Sequence, residues 1–511
     1  MLRLPHEILL NILEDLQFKD VLACRETCRR LNTLFFTSIS LQYRVELGAC
    51  GMIDGVRVPP HNLGVDKRLE RLKLHQEAWR TLNWTEYSGI NHLAGRLHPL
   101  AVAGTALAFP SASDPTSPYI CQVLVSQLPS ILRGIEDEQR VLTRRINQGL
   151  VRFDLLQDLY IYMDMPLRDR MGYLSSISTD EPNPSAHNTG LVKLPRGAEV
   201  LDLCGDYTLE SHFPEPYGEF ALVRNWKTGA IEFETTLASP VPGPIRYLWT
   251  YDGCFLDEHH ILFYIAVEND ESPLLSLPCL VVVPFGRGSD EAPFYMFQLP
   301  DFMRGLVSCG LVLPGRATGL HPGHFRVDPD ERIISLLPTM QRADGASHHF
   351  VIDIPMQALI VRARACVAAP GQHLDVPWDA WGPAITRITR RAAPERDPGM
   401  SVSGMRRISV ADEAPYAVTV VDYHPRRVAR AGAAAVRGAC VDVPERAYAC
   451  DAGVLRTHLP CVVAELPLPE GPARSMRQGR TVGVWLCEDG VLFAEIIPYV
   501  RTITNIWAYT I

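Results

Sequence analysis

The chain has 511 residues, 47% hydrophobic and 21% charged, with a net charge of −9. That length allows two or three domains around a large core, and the acidity argues against non-specific nucleic-acid binding as the main role. The 13 cysteines are scattered with no C-x-x-C pair, so zinc-ribbon spacing is absent and they read as small buried hydrophobes of a reducing compartment.

Residues 4–36 read as three short helices. Pro5 suits a first helical position, where its missing N–H costs nothing, and with His6 and Glu7 it interrupts any signal-peptide core. Ile8, Leu9, Ile12, Leu13 and Leu16 then share one helical face. Asp20 is placed to cap a second helix carrying Val21, Leu22 and Cys28. Leu31, Leu34 and Phe35 form a third apolar cluster. "LQYRVELG" (41–48) reads as a helix stopped by Gly48. Asp66 is placed to cap "KRLERLKLHQEAWRTLNW" (67–84), whose Leu69, Leu72, Trp79 and Leu82 line a packing face.

From about residue 95 the pattern becomes short alternating strands broken by Gly, Pro, Asp and Asn. Strands are expected at 119–128, 159–164, 219–226, 230–237, 260–268, 332–337, 348–354, 357–363, 416–423, 482–497 and 504–511. "NWKTGAIEFE" (225–234) is the sharpest signal: Trp226 ends one strand, 227–229 turns, and the next starts at Ala230. "GDYTLE" (205–210) and "FLDEHHILFYI" (255–265) read as equivalent pieces of neighbouring blades. Residues 365–404 read as a long insertion or inter-strand loop, docked through Trp378 and Trp381. The fold class is therefore α plus all-β: short helices, a helical linker, and a large, mainly antiparallel β domain. At ~40–45 residues per four-stranded blade the latter fits a degenerate β-propeller, with the blade count unreadable.

Catalytic templates fail. "HEILL" (6–10) has Leu10 where a zincin helix needs its second His. "GRGSD" (286–290) lacks the closing Gly of a nucleophile elbow. Walker A and dinucleotide-binding glycine motifs are absent, and neither metal nor cofactor is expected. His259-His260 reads as a turn, and His348-His349 as strand neighbours facing opposite ways. The basic stretches 387–391 and 424–427 read as solvated loops, as does "DPTSP" (114–118), whose Ser and Thr are modification candidates. No run approaches the ~20 apolar residues of a membrane helix, so we expect no membrane contact and a cytoplasmic or nuclear location.

The N-terminal residues carry a specific resemblance to the F-box. Leu4, Pro5, Glu7, Ile8, Leu9, Ile12, Leu13 and Leu16 match its first helix, Asp20, Val21 and Leu22 its second, and Cys28 and Arg29 its third. One departure is Leu31, where an aromatic residue is common. The remainder resembles F-box proteins of mushroom-forming fungi, through "LQYRVELGACGMIDG" (41–55), "RLERLKLHQEAWRTLNW" (68–84), "NWKTG" (225–229), "FLDEHHIL" (255–262) and "DVPWDAWGP" (375–383). The resemblance implies an F-box at 1–40, a helical linker at 41–94 and a propeller-like domain at 95–511. It also implies docking to a Skp-type adaptor, and through it a cullin, by Leu4, Pro5, Glu7, Ile8, Leu9, Ile12, Leu13 and Leu22. Glu7 lies near the positive end of the first helix. The β domain of such a substrate-recognition subunit binds a target protein and performs no chemistry.

Three other readings stay open at this point. Residues 4–36 pack on the protein's own second helical region; the F-box serves a scaffold outside ubiquitination; or the propeller is an enzyme with an incidental F-box. Lysine occurs only at positions 19, 67, 73, 193 and 227 among 49 basic residues. In a ligase subunit that scarcity means little self-ubiquitination.

Overall fold

The computed structural model describes residues 4–55, 63–90, 101–111, 119–120, 122–142, 146–147, 151–154, 157–164, 171–194, 199–212, 220–236, 248–269, 272–286, 294–303, 308–313, 323–341, 347–366, 373–391, 400–411, 414–443, 453–497 and 502–511. Four short helices come first: α1 (His6–Asp15), α2 (Phe18–Thr27), α3 (Arg29–Thr37) and α4 (Ile39–Ala49). A strand, Met52–Asp54, leads to the long helix α5 (Val65–Thr81). Caps differ from expectation by a turn. α2 starts at Phe18, so Asp20 lies in its first turn, and α5 starts at Val65 behind Gly64, with Asp66 in its first turn. Gly48 does not stop α4. It lies inside the helix, where a Cβ would fall 2.2 Å from the Phe18 ring.

Seven sheets of four or five strands follow, each an antiparallel meander at its core. They form a seven-bladed β-propeller-like domain at 101–142, 151–193, 199–236, 248–298, 308–391, 400–467 and 481–510. The last blade takes its outer strand from Thr85–Tyr87, which pairs antiparallel with Ala508–Thr510 and closes the ring. Blades pack face to face through clusters such as Leu262, Tyr264, Leu280 and Val282 of the fourth against Ile334, Leu336, Phe350 and Ile352 of the fifth. Central strands such as His260–Asn269 and Ser347–Pro355 thus carry long buried runs, as sheets covered on both faces do.

Most expected strands are present, but 119–128 divides into Tyr119–Ile120 and Gln122–Gln127 of different sheets, 482–497 is a hairpin of Thr481–Leu486 and Gly490–Ile497, and one expected strand is a helix. Residues 357–363 lie in helix α6 (Met356–Ala365), with Met356, Leu359, Ile360 and Ala363 buried at helical spacing; a short aliphatic run carries no period of its own. "GDYTLE" and "FLDEHHILFYI" both lie at the hairpin between the first two strands of their sheets, in the adjacent third and fourth blades. Residues 365–404 are more than an insertion. They hold strand His373–Val376, which joins the fourth blade in parallel, helix α7 (Trp378–Ile385) and strand Arg387–Arg391 of the fifth. Trp381 is fully buried there and donates its Nε1–H to Gln298 O at 3.0 Å. The 387–391 stretch is therefore a strand with buried Ile388, not a loop. Residues 424–427 open helix α8 (Pro425–Ala431). His348 and His349 are both buried, and His260 Nδ1 lies 2.8 Å from Asp257 Oδ1 across its turn. The 114–118 segment lies outside the described residues.

Candidate functional site

Helices α1 to α4 share one core of Leu9, Leu13, Val21, Leu31, Leu34, Phe35, Leu41 and Val45. Arg30 Nη2 donates to Leu4 O at 2.7 Å, and Ser40 Oγ donates to Glu14, so α3 starts beside one end of α1 and α4 beside the other. Eight residues were expected to face a partner, and the structure divides them. Leu9 and Leu13 are buried inside this core, and Leu4 and Leu22 are half-buried against it. Pro5, Glu7, Ile8 and Ile12 are exposed, with Ile8 45% and Ile12 38% accessible. Phe36, 62% accessible, and Ile39, 46%, are further exposed apolar residues of the same module. The sequence signal for them was the unbroken "LFFT" end of α3, which holds one more large hydrophobe than a three-residue buried face needs.

A module this small buries too little surface to stand firmly alone, and it is fixed to the propeller through α4, α5 and α8. α4 turns Leu41 and Val45 to its own bundle. Tyr43 and Leu47 instead meet Leu69 and Leu72 of α5 and Phe325 and Val327 of the fifth blade. Strand Met52–Asp54 pairs with Phe325–Val327. Arg68 Nη1 donates to both oxygens of Asp54 at 2.6 and 2.9 Å, and Tyr43 Oη donates to Asp54 Oδ1 at 2.9 Å.

From α8, Arg426 lies 3.8 Å over the Phe18 ring, Arg427 Nη1 donates to Cys50 O at 2.6 Å, and Arg430 pairs with Glu46 at 2.7 Å. Burial opposes ionisation of Asp422, but Arg427 and Arg406 bring its pKa down to about 2. On α5, fully buried His75 meets Asp489 Oδ1 at 2.7 Å. Arg133 Nη1 donates to Asp489 Oδ2 at 2.8 Å and to Glu488 Oε2 at 2.5 Å. Burial alone would raise the Asp489 pKa, yet Arg133 and His75 hold it well below the carboxylate range.

These groups are ion pairs and hydrogen bonds between elements, buried at Asp489 and partly exposed at Arg430 and Asp54. Among the described residues no group of three or more His, Cys, Asp or Glu is placed to hold a metal ion, and no helix is long and apolar enough to cross a membrane.

Comparisons bear on the two parts separately. The F-box-like family model matches residues 1–47, which covers all of α1 to α3 and most of α4. No curated protein matches the sequence. Among solved structures, the β-propeller domain of the Trilobed protease from Pyrococcus furiosus is 8% identical at a TM-score of 0.40, over 82% of this chain and 95% of that one. TolB from Acinetobacter baumannii is 10% identical at 0.32, over 73% and 70%. Oligopeptidase B from Leishmania major is 9% identical at 0.31, over 63% and 38%. With the helical module and the seven blades taken together, the chain is an F-box-like domain at residues 1–47 followed by a seven-bladed β-propeller-like domain.

Proposed function

We propose that the protein is a substrate-recognition subunit of an SCF-type ubiquitin ligase, without catalytic activity of its own and acting in the cytosol or nucleus. The observation that carries this is the exposed apolar row Pro5, Ile8 and Ile12 on α1 of an F-box-like domain. F-box domains in general bind Skp-type adaptors, and an adaptor's apolar helices would cover that row. Leu9 and Leu13 would act through the fold, by holding α1 in place, rather than by contact.

The propeller would bind the target protein. Over its first, fifth, sixth and seventh blades, one of its two faces is already occupied by the helical module, through Ile131, Phe325, α8 and Asp489. That occupancy favours the opposite face for a target. The five lysines fit the reading, since a ligase subunit with few acceptors is spared its own product.

The test is co-purification of the full chain with a Skp-type adaptor and a cullin, using wild type and the double variant Ile8→Glu/Ile12→Glu. Wild type should retain both partners and the variant neither. Retention of the adaptor without the cullin supports a scaffold outside ubiquitination instead. Equal binding by both chains sinks the assignment of the docking row.

A further inference from the structure

The joint between the helical module and the propeller contains a small, partly open pocket. Its walls come from the 50–52 turn, Val327 and Glu331 of the fifth blade, the 403–406 turn and His424 of the sixth, and Glu488 of the seventh. The room it leaves for the centre of a water molecule is about 10 Å³. Glu488, Arg406 and His424 are each more than nine-tenths buried. Each of these lining residues also has a buried atom with no hydrogen-bond partner in the protein: Glu488 Oε1, Arg406 Nη2 and His424 Nδ1.

The other atoms of these groups are occupied. Glu488 Oε2 accepts from Arg133, Arg406 Nε donates to Asp422 Oδ2 at 3.2 Å, and the His424 ring lies against Gly51. Gly51 sits at φ +64°, and a Cβ there would fall 2.7 Å from the imidazole.

Buried polar atoms are almost always paired, and leaving three unpaired on residues of one lining is costly. The chemistry of the walls selects the partner. The guanidiniums of Arg406 and Arg427 balance the carboxylates of Glu331 and Glu488, so neither a lone cation nor a lone anion gains net attraction. Burial, aided by Arg427, pulls the His424 pKa to about 3, so its ring is uncharged and can accept a hydrogen bond. The occupant must be neutral, must accept from a guanidinium, and must donate to a carboxylate and an imidazole. Water is the smallest molecule that does both, and buried waters typically make about three such bonds.

We propose that this cavity binds one water, which accepts from Arg406 Nη2 and donates to Glu488 Oε1 and His424 Nδ1. It ties the sixth blade to the seventh directly beneath the turn that carries the helical module. The His424 ring proton then sits on Nε2.

The test is a crystal structure of the full chain at about 1.8 Å or better. The expected result is a single peak at water height within hydrogen-bond distance of all three atoms. A dry cavity, a direct Glu488–Arg406 contact, or a peak with the anomalous signal of an ion overturns the proposal. In solution, oxygen-17 magnetic relaxation dispersion counts long-lived internal waters. The variant His424→Phe, which keeps ring size and removes the acceptor, should show one fewer than wild type, and an unchanged count also overturns it. The crystallographic test on wild type decides the matter if that variant does not fold.

Discussion

Adjacent residues on α1 do different work. Ile8 is largely open to solvent and Leu9 is fully within the bundle core. Ile8→Glu/Ile12→Glu should therefore leave the thermal midpoint within a degree or two of wild type while removing adaptor binding. Leu9→Ala or Leu13→Ala should cost about 2–5 kcal/mol through the cavity left behind, seen as loss of helical circular dichroism at lower temperature. The same stability loss from both pairs would mean that α1 presents a different face. The sequence pattern showed a row of five apolar residues on one helix, but not which of them turn inward, because Ile and Leu are equally at home on either side. Acid sensitivity also belongs to single residues. His424 is uncharged in the folded protein down to about pH 3, while in the unfolded chain it takes a proton near 6.5. Its contribution is complete above pH 6.5 and is lost as pH falls from there towards 3. The slope reaches about 1.4 kcal/mol per pH unit. Asp422 adds a second loss, from the unfolded value near 4 down through about 2. Urea unfolding at pH 7, 5, 3.5 and 2 should show both stages, and His424→Phe should flatten the first.

Two elements govern how the module sits on the propeller. α4 is amphipathic twice over, with one side for its own bundle and one for α5 and the fifth blade. α8 clamps from outside. Arg427 holds Asp422 with two bonds at 2.5 and 2.9 Å and reaches Cys50 O. Arg427→Ala leaves a buried carboxylate short of a partner and should cost roughly 3–5 kcal/mol. It should also speed hydrogen exchange in α4 and α5 more than in the distant second and third blades. Arg430→Ala, which breaks a pair exposed on the arginine side, should cost at most about 1 kcal/mol. Uniform acceleration across the chain would mean that α8 supports the sixth blade rather than the joint. The sequence hid α8 because "HPRRVARA" has no long apolar stripe. What makes it an element is the set of partners that its arginines find in distant segments.

At the scale of the whole molecule, the α then β division and most strands were legible, because a propeller's strands are apolar runs set off by turn residues. The number of blades was not. The recurring mark is a single glycine in the innermost hairpin: Gly104, Gly205 and Gly404 all have positive φ between the first two strands of the first, third and sixth blades. The fourth and seventh blades turn at 256–259 and 487–489 without it, so no period emerges. The F-box-like helices were legible as a motif, but their attachment rests on contacts such as His75 to Asp489, 414 residues apart, which no local pattern encodes. Ring closure rests on Thr85–Tyr87. Glu86→Pro, which removes an N–H from that outer strand and restrains its backbone, should lower the thermal midpoint by several degrees and expose 502–510 to proteolysis. Lysine scarcity is testable at this scale as well. In a reconstituted ligase the wild-type chain should be modified slowly, and a variant with several exposed arginines changed to lysine should be modified several-fold faster. Equal rates would detach composition from function.

The same closure sets an order in time. The strand that seals the ring leaves the ribosome early, directly behind α5, and its partner at 502–510 is made roughly 20–80 s later at ordinary elongation rates. Through that interval the helical module can be complete while His75 and Trp79 still await Asp489 and the later blades. A chain that stalls or breaks before its final blade therefore keeps its handle but shows the sticky side of α5. Chaperones and proteases can read that difference, so only a fully translated molecule presents a folded handle with nothing apolar trailing behind it.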